Sequence, residues 1–234
     1  MGLGDIIMYL ITGASGGIGK LLFDRFTSEG KLCFGTYYSS ENNNAPNLSK
    51  VDVRDFGEVN SWVSRLIENS EDKEVVLINC AGISYNAFGH KADVDAWRNV
   101  IDVNLIGTFN VIRAVLPFMR KSNYGRIINF SSVVGQKGVP GTSAYAASKT
   151  GLWGLTKALA VENAGKNITI NSVNLGYFDI GIIEQVPRSH KVSLVASIPV
   201  GRFGEPINIV RTVEFIVENN DLCGVSLDVS GGLV

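Results

Sequence analysis

Histidine and cysteine are scarce in this sequence, and neither is arranged to hold a metal. The two histidines, His90 and His190, stand apart from each other and from cysteine. The three cysteines, Cys33, Cys80 and Cys223, follow no ligand spacing. They are odd in number, widely separated and set among apolar neighbours, so they are expected to be reduced core thiols with no disulfide framework and no metal site. An excess of one charge is also missing. Lys and Arg number 21 against 22 Asp and Glu, giving a net charge of −1 with no Lys/Arg run. That argues against nucleic acid as a partner. Long hydrophobic runs are absent too. A stretch such as "VVLINCAGI" (75–83) is about half of a membrane span, so no membrane partner is expected. The opening "MGLGDIIMYLITG" lacks a basic start and a separate apolar core, so no secretory signal is expected and the cytoplasm is the expected compartment.

What is present is alternation. Apolar strand-like runs occur at "IIMYLIT", "KLCFGTYY", "SKVDV", "EVVLIN", "GRIINFS", "NITINSVN" and "GVSLDVS". Helical patterns lie between them over 18–28, around "VNSWVSRLI", over 93–119 and over 144–161, with another over 207–217. Strands that are apolar throughout, separated by helices, predict a parallel sheet covered on both faces. The fold class expected is α/β, a single Rossmann-type doubly wound domain spanning 1–234. Its mostly parallel sheet has seven strands with helices on both faces. No linker, repeat or low-complexity tract divides it. The segment 177–199 has the weakest pattern and follows the sixth strand, where the ligand crevice of such a sheet opens. It is expected to be a loop acting as a substrate lid, partly apolar through Ile180, Ile182, Ile183 and Val186.

"TGASGGIGK" leaves the first strand and opens the first helix. Gly13 permits the turn, Gly17 lets backbone approach a diphosphate, and Gly19 lets the helix pack on the sheet. Unpaired N–H groups at the helix start then face the phosphates. The stretch is not a P-loop, because Leu21 replaces the Ser/Thr that must follow the Lys.

In "SSVVGQKGVPGTSAYAASK" (131–149), Tyr145 and Lys149 stand one helical turn apart and share a face. A phenol has a pKa near 10 and exchanges protons poorly at neutral pH. A neighbouring cation favours the phenolate. With Ser132 holding a substrate oxygen, the set suits proton exchange at a carbonyl or alcohol while a hydride moves at carbon.

Taken together, "TGASGGIG", "NCAG", "VNLIGTF", "INFSSVVG", "YAASK" and "LDVSGG" occur in an order and spacing that resembles the short-chain dehydrogenase/reductase family along essentially the whole chain. The likeness is greatest to 3-oxoacyl-(acyl carrier protein) reductases, also through "IPVGRFGEP". The resemblance implies an NAD(P)-dependent oxidoreductase acting on ketone or 3-oxoacyl groups. It implies the catalytic set Asn104, Ser132, Tyr145 and Lys149: Tyr145 as general acid or base, Ser132 on the substrate oxygen, Lys149 lowering the tyrosine pKa and holding the nicotinamide ribose, and Asn104 holding a relay water. Of the two serines, strand alternation sends only one to the site, and the thirteen-residue spacing to Tyr145 selects Ser132.

For the cofactor, the resemblance implies Gly13, Ser15, Gly17, Ile18 and Gly19 along the diphosphate. Tyr38 and Ser39 lie at the end of the second strand, Asp52 and Val53 at the adenine, and Asn79, Ala81 and Gly82 along the ribose. Tyr145, Lys149 and Gly176 complete the set. No acid stands at Tyr37 or Tyr38 to bind a ribose 2′-OH, and Ser39 and Ser40 offer donors to a phosphate. NADP(H) is therefore favoured with NAD(H) the alternative, although Gly16 replaces the basic residue often present in the glycine loop of NADP-using relatives. Two positions depart from the family pattern after the sixth strand: Leu175 replaces Pro, and Ile180 replaces a Thr that contacts the nicotinamide amide. Partners implied are a small carbonyl or alcohol substrate, carried on an acyl carrier protein if Arg120, Lys121 and Lys166 form its docking rim. A homotetramer or homodimer is also implied, with Trp97, Phe109 and Trp153 as interface or core groups. A nucleotide-binding regulatory protein without turnover is the competing reading. A nucleotide-sugar epimerase shares the Tyr-Lys pair but has a differently spaced glycine loop.

Overall fold

Each central strand of the sheet sends alternate side chains into two separate apolar layers. From β1 (Ile7–Thr12), Met8 and Leu10 enter one layer, and Tyr9 and Ile11 enter the other. The same division holds for Leu77 and Ile78 of β4 (Glu74–Asn79) and for Ile127 and Ile128 of β5 (Gly125–Ser132). Burial of a Leu or Ile side chain stabilises by about 1.5–3 kcal/mol each, so both faces must be covered. A computed structural model describes residues 7–39, 45–67, 74–181, 183 and 186–234.

The remaining strands are β2 (Leu32–Tyr37), β3 (Leu48–Lys50), β6 (Ile168–Leu175) and β7 (Ser226–Val229). The sheet order is β3-β2-β1-β4-β5-β6-β7, and every neighbouring pair is parallel. The expected mostly parallel sheet is thus parallel throughout. One face is covered by α1 (Gly17–Ser28) and α8 (Pro206–Glu218), through Leu22, Phe26, Val210 and Val213. The other is covered by α2 (Phe56–Ile67), α4 (Gly107–Ser122) and α6 (Ser143–Asn163), through Trp62, Val111, Val115 and Leu159. The chain winds outward from β1 to β3, then returns to β4 and winds the other way. Strand order reverses between β1 and β4, which opens a crevice beyond their carboxyl ends.

The long helical stretch expected over 93–119 is a helix in three parts. α3 (Val94–Ile101) is capped by Asp93, whose carboxylate accepts from the Ala96 N–H at 2.7 Å. A π-helical turn follows at Asp102–Ile106, then α4. The continuous helix Val94–Ser122 is long and apolar enough to cross a membrane, but half of its apolar window is buried inside the protein, and α4 packs on α2, β4 and β5. It is a core helix. The region expected to be a long loop, 177–199, instead contains α7 (Arg188–Ser197). No residue of α7 is fully buried, so no apolar stripe marks it in the sequence. A short helix, α5 (Val134–Lys137), leads from β5 toward α6.

Candidate active site

The glycine turn sits at the reversal point. Gly13 has φ 65°, and a Cβ there would lie 2.9 Å from the Ala81 Cα, so only glycine lets the two crossing loops touch. The Thr12 hydroxyl joins them by accepting from the N–H groups of Cys80 and Ala81, both at 3.1 Å. Gly16 precedes α1 without a side-chain cap, and the first turn carries no acid. A Cβ on Gly16 would meet nothing within 4 Å. Open space in front of uncapped N–H groups fits a phosphate. The half-buried Ile18 side chain packs inward with the α1 face of the core, leaving its backbone toward the turn. Ser15 is half-buried in the same turn, and Gly19 is buried against Gly13.

Beyond β4, Asn79 is buried and its amide donates to the Asn129 Oδ1 at 2.9 Å, while Asn129 donates to the Thr156 hydroxyl at 3.0 Å. This side chain ties β4 to β5 and, through Asn129, to α6. Gly82 is exposed, and a Cβ on it would lie 3.3 Å from Asn104 Oδ1 and 3.5 Å from Lys149 Nζ. Cys80 fills the position between Asn79 and Ala81, and its thiol is pushed well above the usual range by burial. The three cysteines are free thiols. Among the described residues no group of His, Cys, Asp or Glu is arranged to hold a metal.

The four residues expected to act together converge. Asn104 lies in the π-helical turn and is fully buried. Its Oδ1 accepts from the Ile83 N–H at 2.8 Å, and its Nδ2 donates to the Ile83 carbonyl at 2.9 Å and to the Ser148 hydroxyl at 3.0 Å. Ser132, the last residue of β5, stands beside Tyr145, near enough to oppose the rise of its pKa. Its Oγ also accepts from the Val134 N–H at 3.2 Å. The neighbouring Ser131 is committed elsewhere: its hydroxyl donates to the Lys149 carbonyl at 2.8 Å and accepts from Trp153 Nε1 at 3.0 Å. Trp153 donates as well to Asn174 Oδ1 at 2.7 Å, so its indole is used inside the chain.

Burial pushes the Tyr145 phenol up to about 12, with only Ser132 opposing. The Lys149 Nζ donates to the Phe130 carbonyl at 2.8 Å and lies 5.7 Å from the tyrosine ring centre. Burial pushes this amine down to about 8. Desolvation outweighs the charge because the amine is aimed at a carbonyl rather than at the phenol oxygen.

At the outer end of the crevice, Tyr38 and Ser39 follow β2 and are exposed. Ser40 and Ile182 lie outside the described residues. Val53 is buried in the core beneath α4, so only its backbone faces outward. The Asp52 carboxylate is held by Arg54, which the sequence reading passed over. Arg54 Nε donates to both Asp52 oxygens at 2.9 and 3.0 Å, and Nη2 donates to Asp52 Oδ2 at 2.6 Å. Nη2 also donates to the Tyr38 hydroxyl at 3.1 Å, and Nη1 donates to Asn99 Oδ1 at 2.7 Å. The arginine holds the Asp52 carboxyl below its usual range.

The two departures have structural consequences. Leu175 continues β6 in register with Ser132 and Val229. A Cβ on Gly176 would meet the Ser230 Cα at 2.8 Å, so that glycine serves close backbone approach. Ile180 is partly buried against the α1–α8 core, and the next residue, Gly181, lies against Gly17 of the glycine turn. A separate cavity of about 140 Å³, bordered by Tyr177, Phe178, Val200, Arg202, Asn208 and Ser230, lies beyond β6 and β7. None of Ser132, Tyr145 or Lys149 lines it.

Comparison with known proteins agrees with this geometry. The family model for short chain dehydrogenase matches residues 8–190. The chain is 37% identical over 239 residues to a 3-oxoacyl-[acyl-carrier-protein] reductase FabG of Thermotoga maritima, covering 96% of each. It is 34% identical over 232 residues to an acetoacetyl-CoA reductase of Shinella zoogloeoides, covering 95% of this chain and 96% of that one. A FabG of Haemophilus influenzae is 30% identical over 234 residues, covering 96% of each. With a reversal-point glycine turn, a Ser132–Tyr145 pair at the end of β5 and matches spanning nearly the whole chain, this protein belongs to the short chain dehydrogenase family and is an oxidoreductase.

Proposed function

We propose that residues 1–234 form one NADP(H)-dependent reductase unit acting on small 3-oxoacyl substrates, with NAD(H) the alternative cofactor. The placement of Ser132 at the end of β5 beside Tyr145 on α6, with Lys149 buried one turn further along the same helix, carries this reading. The glycine turn would hold the diphosphate, and Gly82, Tyr145 and Lys149 would border the nicotinamide end. When bound, the nicotinamide supplies the hydride in reduction and takes it in the reverse direction.

With its pKa at about 12, the Tyr145 phenol is protonated at neutral pH, the form required to protonate a carbonyl oxygen. Ser132 holds that oxygen in place. The Lys149 amine, at about 8, exists in both forms near neutrality and returns a proton to the tyrosine side. Asn104 fixes the Ile83 backbone beside them. The names of the relatives point to thioester substrates on coenzyme A or on an acyl carrier protein. For the carrier, the basic groups are Arg120, Lys121 and Lys166, with the Arg120 guanidinium turned to Asn163 at the end of α6. We place the enzyme in the cytoplasm, as a homodimer or homotetramer.

The test is Tyr145→Phe, assayed by nicotinamide absorbance with NADPH and acetoacetyl-CoA. The expected result is a fall of about 10²–10⁴-fold in turnover with NADPH affinity kept within a few-fold. An unchanged rate overturns the assignment. A second reading, nucleotide binding without turnover, draws on Ile180 being packed into the core where relatives place a polar side chain. Tight NADPH binding with no oxidation across acetoacetyl thioesters, diketones and keto-sugars would select it.

A further inference from the structure

We propose that Arg54 is the cation that receives the ribose 2′-phosphate of NADP(H), with Asp52 as the counter-ion that holds it ready. The inference rests on the reading of the crevice as a dinucleotide site. In this fold the adenosine ribose lies past the end of the strand next to the glycine turn, and the group there decides between a 2′-OH and a 2′-phosphate. That strand is β2, and the first residue after it is Tyr38. Arg54 comes from the other side, the segment between β3 and α2, and reaches the Tyr38 hydroxyl at 3.1 Å. Its guanidinium stands 5.2 Å from the tyrosine ring centre.

The donor inventory favours a ligand. A guanidinium has five N–H groups. Among the described residues, Nε and one Nη2 proton go to Asp52, the other Nη2 proton to Tyr38, and one Nη1 proton to Asn99. One Nη1 proton remains. The Tyr38 hydroxyl accepts from Arg54, so its own proton is directed away from the arginine, and this residue is 55% exposed.

The carboxylates around the arginine are occupied. Both Asp52 oxygens are on Arg54, Glu58 accepts the Asp52 N–H at 2.8 Å, and Asp55 accepts the Glu58 N–H at 3.0 Å. Among the described residues, no carboxylate at this end is free of Arg54 or of a backbone N–H, where an NAD-selective site would place an open one. The Arg54 and Asp52 side chains are 35% and 21% exposed. At such exposure the pair is screened by water, and a phosphate dianion competes for the guanidinium through two parallel hydrogen bonds. The glycine turn offers no substitute cation: Gly16 stands there, and Lys20 pairs with Asp24 on the exposed face of α1.

The experiment titrates the intact protein with NADPH and NADH, following nicotinamide fluorescence, and repeats the series with Arg54→Met, Arg54→Lys and Asp52→Asn. Arg54→Met should weaken NADPH by about 10- to 100-fold and leave NADH within about threefold. Arg54→Lys should fall between, since it keeps the charge and loses the fork. Asp52→Asn, which frees the guanidinium, should leave the ratio of NADPH to NADH affinity equal or higher, whatever it does to both nucleotides at the adenine end. Displacement of NADPH by 2′,5′-ADP but not by 5′-AMP should disappear in Arg54→Met. Equal loss of both nucleotides in Arg54→Met and Arg54→Lys, or no loss in either, overturns the proposal and leaves the reductase reading standing. Failure of the unaltered protein to bind either nucleotide overturns the reductase reading and this proposal with it.

Discussion

Tyr145 and Lys149 titrate against folding in opposite directions. In the folded chain Lys149 sits at about 8 against an ordinary 10.5. Between those values the unfolded chain binds the extra proton, so stability rises as pH climbs through the window, and the full penalty is present below pH 8. Tyr145 sits at about 12 against 10.0. Above pH 10 the unfolded chain loses its proton first, and stability falls. For these two groups the folded state is least burdened near pH 10. Lys149→Met should therefore gain most relative to the parent below pH 8, on the order of 3 kcal/mol, with the advantage shrinking toward pH 10. Urea melts of both proteins at several pH values measure this. A difference that does not change with pH would show that the amine is not desolvated. The pairing of Tyr145 with Lys149 was legible from their spacing, but the aim of the amine was not. It points at Phe130 on β5, nineteen residues away, a partner set by how α6 lies on the sheet. Arg54 escaped for the same reason, since its partners Tyr38 and Asn99 come from separate elements.

The π-helical turn is the element on which the site depends. A single widened turn at Asp102–Ile106 places the Asn104 amide against the Ile83 backbone, where it closes two hydrogen bonds with the loop after β4. The turn is held by the Thr108 hydroxyl donating to the Asn104 carbonyl at 2.8 Å. Asn104→Ala leaves those backbone groups without their partner and is expected to cost about 1–3 kcal/mol, with turnover reduced beyond what the lost stability explains. Thermal melting and kcat measured on the same preparation check it, and a variant as stable and active as the parent would remove the brace from the account. In the sequence this stretch reads as an ordinary long helix. One extra residue in a turn moves the apolar stripe too little to break its period. The strands β1, β4, β5 and β6 were legible for the opposite reason: burial on both faces demands apolar residues at nearly every position, and that leaves a run no turn or surface helix imitates. The helix α7 left no such mark because it buries no side chain fully.

At the scale of the whole molecule, the helical surface next to the site exposes Ile106 at 45% and Phe109 at 42%. Large apolar groups clustered on one helix are the kind of surface a second copy covers. Phe109→Glu is expected to lower the oligomeric state, read by light scattering across a concentration series, with the monomer fold kept by circular dichroism. An unchanged mass would mean that Phe109 does not join two copies. Trp153, expected as an interface or core group, directs its indole N–H inward to Ser131 and Asn174. The strand order carries a further consequence for biosynthesis. β1 is made first, yet it lies in the interior of the finished sheet, and its partner β4 starts at Glu74. While the ribosome is still making the intervening segment, β1 has one bare edge, able to pair with the wrong chain. Nascent chains halted before Glu74 should therefore be the ones that chaperones hold and proteases cut, and those released after Asn79 should escape both.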